Sequence, residues 1–202
     1  MKRILLLLLL WNMGFVAMAQ TGVAYTNAMK AYQKNYVATH EVVKGKDRNF
    51  FRFYDVDENY KINCRFEKSN DSSVVVMKTS GKKIPQKDFY RYGTLFFSIH
   101  DTALQLTVYQ SKTTPKTDEY KDLLFIPFTD LTSGEDTYGS GRYIDISVKE
   151  IINNAAVIDF NKAYNPYCAY SDGYNCPLPP GENRLSVAIK AGEKTFAKGV
   201  QH

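Results

Sequence analysis

The chain has 202 residues, of which 44% are hydrophobic and 23% are charged, and its formal net charge is +5. This length suits one domain that buries most of its apolar surface, and the mild positive charge does not call for a polyanionic partner. Basic residues are interleaved with acidic ones, and the sequence contains neither a basic helix nor a recognised nucleic-acid motif. We therefore expect no nucleic-acid partner.

The N-terminus has the features of a cleavable secretory signal peptide. Lys2 and Arg3 form a positive region, residues 4–11 are almost all leucine, and Ala17 and Ala19 supply the small residues that a signal peptidase recognises. The apolar stretch is shorter than the roughly 20 residues of a membrane-spanning helix. We expect cleavage after residue 19, an exported mature chain that is periplasmic or secreted, and no transmembrane span after cleavage.

The next segment predicts one amphipathic helix. Apolar and aromatic side chains recur at spacings of three and four within residues 20–45, and Gly45 is a typical helix stop. The position of His40 on this face favours a core histidine over a catalytic base. The predicted buried face consists of Tyr25, Met29, Tyr32, Tyr36, His40 and Val43.

Residues 46–202 predict a single β-rich domain. The hydrophobic period changes to two, and turn sequences separate short runs that are rich in aromatic and β-branched residues. Many short strands with one helix favour a mainly β fold, an antiparallel barrel or sandwich, over a parallel α/β fold. The predicted strands are 50–54, 60–66, 74–78, 93–99, 103–110, 123–128, 143–148, 156–160 and 185–189.

Residues 161–183 predict a long irregular C-terminal loop. The segment is rich in proline and glycine, yet it contains four tyrosines and two of the three cysteines. Such loops in compact domains are usually functional or disordered, and the tyrosines and cysteines argue against disorder. Cys168 and Cys176 are predicted to form a disulfide, which leaves Cys64 as a buried thiol. A metal site is the alternative, but the cysteine spacing matches no zinc motif and we expect no metal.

Polar residues in and around this loop are the candidates for ligand binding. A guanidinium beside carboxylates and amides can recognise a carboxylate, a phosphate or a sugar. The alternative interpretation is an ion-pair network that ties the loop to the sheet. Arg142 follows a glycine-rich turn and is predicted to face residues 159–165. The ten candidates are Arg142, Tyr143, Asp159, Asn161, Tyr164, Asn165, Glu182, Asn183, Arg184 and Glu193.

The second half of the chain contains five sequence blocks, which are 128–143, 159–166, 168–170, 176–180 and 182–194. In this order they resemble the domain-of-unknown-function family 1684, and the resemblance extends over roughly residues 40–196. Exported members of such a family are common in the Bacteroidetes, which is consistent with the signal peptide. The resemblance implies no activity, cofactor or partner.

The sequence thus predicts an exported protein that binds a small polar ligand in a pocket of the β-rich domain. The alternative is a carboxylate-dependent, hydrolase-like enzyme of the cell envelope, for which Asp159 would have to meet Glu182 or Glu193 in one cleft. No catalytic motif identifies a nucleophile or a base, so the sequence assigns neither a catalytic residue nor a cofactor.

We predict that residues 1–19 are absent from the mature protein, because the positive region, the short apolar core and the small residues together form one export signal. Intact-mass analysis of the envelope fraction should show a chain that begins at Gln20. Recovery of the full-length chain from the membrane fraction would contradict this prediction.

Overall fold

A computed structural model describes residues 22–80, 86–113, 117 and 120–199 of the chain. The predicted signal peptide lies outside these residues. Helix α1 spans residues 22–39. No helix in the described ranges combines the length and the apolar character needed to cross a membrane. Within the same ranges the strands are β1 Lys61–Lys68, β2 Val74–Lys78, β3 Gln86–Ile99, β4 Thr102–Ser111, β5 Leu123–Phe128, β6 Arg142–Ser147 and β7 Ala155–Asp159.

The strands form one antiparallel sheet that curls into a half-barrel. Its order is β6-β5-β4-β3-β1-β7, and β2 pairs with the first part of β3. The β3–β4 hairpin turns at His100 and Asp101, whose φ angles of 47° and 61° are typical of a tight two-residue turn. The predicted mainly β, antiparallel fold with one N-terminal helix is confirmed.

Alternation of side chains along the strands creates two different sheet faces. The inner face carries the main hydrophobic core, in which Leu95, Leu106 and Ile126 are completely buried. On the outer face, Phe89 and Tyr109 belong to a second, smaller hydrophobic cluster. The sheet is therefore covered on both faces over part of its length.

A β-bulge makes the outer cluster possible. The pairing of β3 with β4 changes register between Arg91 and Gly93. In a regular strand, Phe89 would lie on the same face as Leu95, because side chains alternate with a period of two. The extra residue turns Phe89 to the outer face, where its ring contacts that of Tyr109.

Helix α1 ends six residues before its predicted stop at Gly45. The imidazole Nδ1 of His40 accepts a hydrogen bond from the backbone N–H of Val43 at 3.0 Å, and a 3₁₀ helix, Gly45–Phe50, follows. His40 is buried among aromatic rings, and this burial lowers its pKa to about 4. The local hydrogen bond of His40 thus replaces the last turn of the predicted helix.

The strand predicted at 50–54 is not formed. Phe51 is buried in an aromatic cluster with Tyr36 and Tyr170. Phe53 makes an isolated bridge to the C-terminal segment. These apolar side chains alternate as in a strand, but they pack beneath α1 and not along the sheet.

The strand predicted at 185–189 is not formed either, although its backbone is hydrogen-bonded. The N–H of Leu185 donates to the carbonyl oxygen of Thr129 at 2.8 Å. The N–H of Ile189 donates to the carboxylate of Asp130 at 3.2 Å. A side-chain carboxylate here takes the place of a strand neighbour, so no regular ladder can form.

After β7 the chain lies against the sheet through short elements. Three 3₁₀ helices, Phe160–Lys162, Tyr167–Ala169 and Gly181–Asn183, alternate with isolated bridges. One bridge joins Tyr164 to Tyr143 through two backbone hydrogen bonds of 2.9 and 3.0 Å. The segment predicted as one long loop therefore has several points of attachment to the rest of the domain.

Arg142 anchors the last part of the chain to the inner face of the sheet. It is completely buried at the start of β6, opposite Phe128. Five donors in a rigid fork suit a site made of one carboxylate and several carbonyl groups. Arg142 does not face residues 159–165, so that prediction is wrong. Its guanidinium donates hydrogen bonds to Asp130 Oδ2 at 2.9 Å and to the carbonyl oxygens of Ile189, Ala191 and Glu193 at 3.0, 2.5 and 3.2 Å.

The substitution Arg142→Ala should lower the free energy of unfolding by about 3–5 kcal/mol, because it leaves the carboxylate of Asp130 buried without its charged partner. Chemical denaturation followed by circular dichroism measures this change. Arg184→Ala removes the same charge from an exposed position and should change the free energy by less than about 0.5 kcal/mol. Small and equal effects of the two substitutions would contradict the anchoring role.

Candidate functional site

Asp159 and Asn161, two of the predicted site residues, fasten α1 to the end of β7. The carboxylate of Asp159 accepts a hydrogen bond from the Tyr25 hydroxyl at 3.0 Å. The Asn161 amide donates to the same hydroxyl at 2.9 Å. Both side chains are buried. Their polar groups are therefore occupied by contacts that hold the helix in place.

Glu193 and Asn165 form a second polar cluster beneath α1. The carboxylate of Glu193 accepts hydrogen bonds from the Tyr170 hydroxyl at 2.7 Å, the Tyr36 hydroxyl at 3.3 Å and the backbone N–H of Asn165 at 2.9 Å. Burial raises the pKa of Glu193 to about 7, and these donors oppose the rise. The side chain is completely buried, so α1 separates it from solvent.

Asn183 completes the sheet where β4 and β5 are joined by a single paired position. The backbone N–H of Thr107 donates to the Asn183 side-chain oxygen at 2.7 Å. The Asn183 amide nitrogen in turn donates to the carbonyl oxygens of Thr107 and Pro127, both at 2.8 Å. The side chain therefore acts as an inserted peptide group between the two strands, which explains why it is completely buried.

Glu182 and Arg184 lie on either side of this inserted residue. Glu182 accepts hydrogen bonds from the Tyr109 hydroxyl at 2.5 Å and from Arg91 Nε at 3.1 Å. Arg184 is exposed. Neither residue shares a partner with Asp159 or with the Glu193 cluster. The ten predicted residues are thus distributed over several separate places in the domain.

Tyr143 and Tyr164, the remaining two, line a pocket of about 770 Å³ on the outer face of the sheet. This volume is within the range that is typical of small-molecule sites. We call it the outer-face pocket. One wall is the sheet, and the other is the chain from Tyr164 to Pro177. Both walls contain aromatic side chains, which are Phe89, Phe125, Tyr143, Tyr164, Tyr167 and Tyr174.

Asp145 lies in the outer-face pocket and was not among the predicted residues. It is paired with Phe125 of the neighbouring strand, and its Oδ2 accepts a hydrogen bond from the Tyr164 hydroxyl at 2.7 Å. The carboxylate is open to solvent, yet protein atoms surround it on most sides because it lies in a concave surface. This desolvation raises the pKa of Asp145 to about 6, and the hydrogen bond from Tyr164 opposes the rise.

A disulfide shapes the loop wall of the pocket. It joins Cys168 to Cys176 with a Cα–Cα distance of 6.2 Å, and the pocket-lining residues 173–175 lie between the two cysteines. The backbone N–H of Ser80 donates to the carbonyl oxygen of Cys176 at 3.0 Å and ties this wall to the chain after β2. Cys64 is a buried thiol whose pKa is raised by burial to about 12.

The described part of the chain brings no three His, Cys, Asp or Glu side chains together in an arrangement that could bind a metal ion. The outer-face pocket offers one carboxylate, one ammonium group, several phenol groups, aromatic ring faces, and the hydroxyl and amide groups of Ser111, Thr113 and Asn175.

Comparison with known proteins identifies the family. Residues 49–194 match the model of the family described as Protein of unknown function (DUF1684). This chain belongs to the DUF1684 family. The resemblance drawn from the five sequence blocks is therefore confirmed.

A solved structure with the same fold is the solution NMR structure of the uncharacterized protein from gene locus rrnAC0354 of Haloarcula marismortui. The two chains are 24% identical, with a TM-score of 0.64 over 87% of this chain and 97% of the other. At this identity the likeness establishes the fold alone. No protein with a curated description matches the chain.

In this DUF1684 protein, the sequence blocks supply mainly the contacts that hold the fold together. The block 128–143 contains Asp130 and Arg142, and the block 182–194 contains the Asn183 insertion and Glu193. The blocks contribute to the pocket chiefly through Tyr143 and Tyr164 and through the disulfide.

A signal for Asp145 was present in the sequence. In the run from Tyr143 to Ile146, alternation predicts that Tyr143 and Asp145 share one face while Ile144 and Ile146 share the other. An acid on the aromatic face of a strand is a reason to expect a site. The contribution of Phe125 could not be found in this way, because only the observed strand pairing places it beside Asp145.

We predict that the carboxyl group of Asp145 titrates near pH 6 and that Tyr164→Phe raises its pKa further, since this substitution removes a donor to the charged form. A ¹³C NMR titration of the carboxyl carbons measures both values. Tyr143→Phe is the control, because the Tyr143 hydroxyl donates to the carbonyl oxygen of Pro177 and not to Asp145.

The same shift has a consequence for stability. Because the folded-state pKa lies above the ordinary value of 3.8, the folded protein binds this proton more tightly than the unfolded chain. The contribution of Asp145 to the free energy of unfolding should therefore fall as the pH rises from about 4 to about 6, and the difference between the wild-type protein and Asp145→Asn isolates it from the titrations of His40 and Glu193. A carboxyl resonance of Asp145 that titrates near its ordinary value would contradict the proposed desolvation.

Proposed function

We propose that this DUF1684 protein is exported and binds a small polar ligand in the outer-face pocket. The observation that carries the proposal is Asp145, an accessible carboxylate in a cavity that has aromatic rings in both of its walls. None of the ion pairs formed by the described residues involves this carboxylate. A partly desolvated charge without a counter-charge is costly to a fold, and a bound ligand would supply the missing partner.

The construction of the pocket supports a binding role. One wall is a regular sheet, and the other is held by the disulfide and by the backbone bridge between Tyr143 and Tyr164. Walls that are fixed before a ligand arrives lower the entropic cost of binding. The export part of the proposal is supported by the N-terminal sequence and by the disulfide, which persists in an oxidising compartment.

A carboxylate-dependent hydrolase would need two carboxylates in one cleft. Among the described residues that line the outer-face pocket, Asp145 is the single acid. The sequence suggested Asp159 with Glu182 or Glu193 as a catalytic pair, but these three carboxylates have different partners. These observations favour binding over hydrolysis.

The test is to fill the pocket without disturbing the core. Leu123 lies at the edge of the pocket and is partly exposed, so the indole of Leu123→Trp should occupy the cavity. We expect untargeted mass spectrometry to find a small molecule that co-purifies with the mature wild-type protein and is lost from this variant.

The control substitution is Leu131→Trp, which adds the same indole at an exposed leucine outside the pocket lining. This variant should retain the molecule, and both variants should melt within a few degrees of the wild-type protein. Equal retention by all three proteins would mean that the molecule binds elsewhere and would contradict the proposed site.

A further inference from the structure

The charges in the outer-face pocket are separated across the sheet. Asp145 is on β6, and Lys87, the basic residue among the described lining residues, is on β3. With adjacent strands about 4.8 Å apart, three strand spacings put these residues roughly 14 Å apart. None of the ion pairs formed by the described residues joins Lys87 to Asp145.

The phenol hydroxyls near Asp145 already donate hydrogen bonds to acceptors of the protein. The Tyr164 hydroxyl donates to Asp145 at 2.7 Å, and the Tyr143 hydroxyl donates to the carbonyl oxygen of Pro177 at 2.5 Å. The Tyr167 hydroxyl donates to the carboxylate of Glu41 at 2.9 Å. Each hydroxyl has one proton, so toward a ligand these groups offer only lone pairs. A group bound beside Asp145 must therefore act as the hydrogen-bond donor.

The rings at this end of the pocket favour a positive charge. Tyr143 packs edge to face against Phe125, with ring centroids 4.7 Å apart, and against Tyr164 at 5.8 Å. Tyr167 and Tyr174 make a similar pair at 5.2 Å on the loop wall. Aromatic faces attract cations through their quadrupole, and this attraction strengthens where water is partly excluded.

From these features together we infer that the outer-face pocket binds an organic cation, with a primary or secondary ammonium group against Asp145 and its carbon chain against the aromatic walls. This inference rests on the proposed binding function and names the class of ligand. The ammonium supplies a positive charge and N–H donors at the end of the pocket where Asp145 lies, away from Lys87. A neutral sugar can also stack on aromatic rings, but it leaves the carboxylate without a counter-charge.

The test uses three probes with the mature, disulfide-bonded protein at pH 7.5. Butylammonium is the cation, 1-butanol is its neutral counterpart with a similar shape, and methyl β-glucoside represents neutral sugars. Amide chemical shifts in ¹⁵N-labelled protein report the site and the affinity. We expect butylammonium to shift the amides of residues 143–146 and 164–175 saturably, with an affinity at least about tenfold higher than that of 1-butanol.

A matched pair of variants removes one negative charge at two different places. Asp145→Asn keeps an acceptor for the Tyr164 hydroxyl and should weaken butylammonium binding at least about tenfold. Asp101→Asn makes the same change in the exposed β3–β4 turn and should leave binding unchanged. Equal affinities for butylammonium and 1-butanol, or unchanged binding by Asp145→Asn, would overturn the inference.

The outcomes separate this inference from the proposed function. If methyl β-glucoside binds saturably at these amides and butylammonium does not, the pocket remains a binding site and the assignment of a cation is wrong. If none of the probes binds and no small molecule is lost from Leu123→Trp, both the inference and the proposed function fail.

Discussion

The buried guanidinium of Arg142 is the constraint on which the C-terminal third of this domain depends. It lies on the hydrophobic face of the sheet, opposite Phe128, where an uncompensated charge would be severely destabilising. Asp130 and three backbone carbonyl groups compensate it. The carbonyl groups belong to residues 189–193. This segment must therefore lie against the guanidinium and cannot form an additional strand.

The position of that segment determines what lies beneath α1 and beside the sheet. The backbone carbonyl of Glu193 accepts a hydrogen bond from Arg142. The carboxylate of the same residue accepts hydrogen bonds from the Tyr170 hydroxyl and the backbone N–H of Asn165. These contacts fix the chain on either side of Tyr167, which forms part of the loop wall of the outer-face pocket. The anchor on the inner face is thereby connected to the geometry of a cavity on the opposite face.

Polar residues in this protein differ in whether other protein groups already supply all of their hydrogen-bond partners. Asp130, Asp159, Asn183 and Glu193 are buried and have protein donors for their oxygen atoms, so they stabilise the structure and have little left to offer a ligand. Asp145 has the Tyr164 hydroxyl and remains accessible. A carboxylate that is partly desolvated and accessible, and that forms no ion pair with the described residues, is the more informative sign of a binding site.

Local patterns in the sequence were enough to predict the antiparallel β fold, the helix and most strands, because alternation and turn residues act over a few positions. The tertiary structure decided which partners the polar residues have. Arg142 and Asp145 are three residues apart, yet one is a buried anchor and the other lines a pocket, since neighbouring strand positions face opposite sides of a sheet. The strand order that pairs Phe125 with Asp145, and the bulge that turns Phe89 outward, come from long-range pairing that no local pattern encodes.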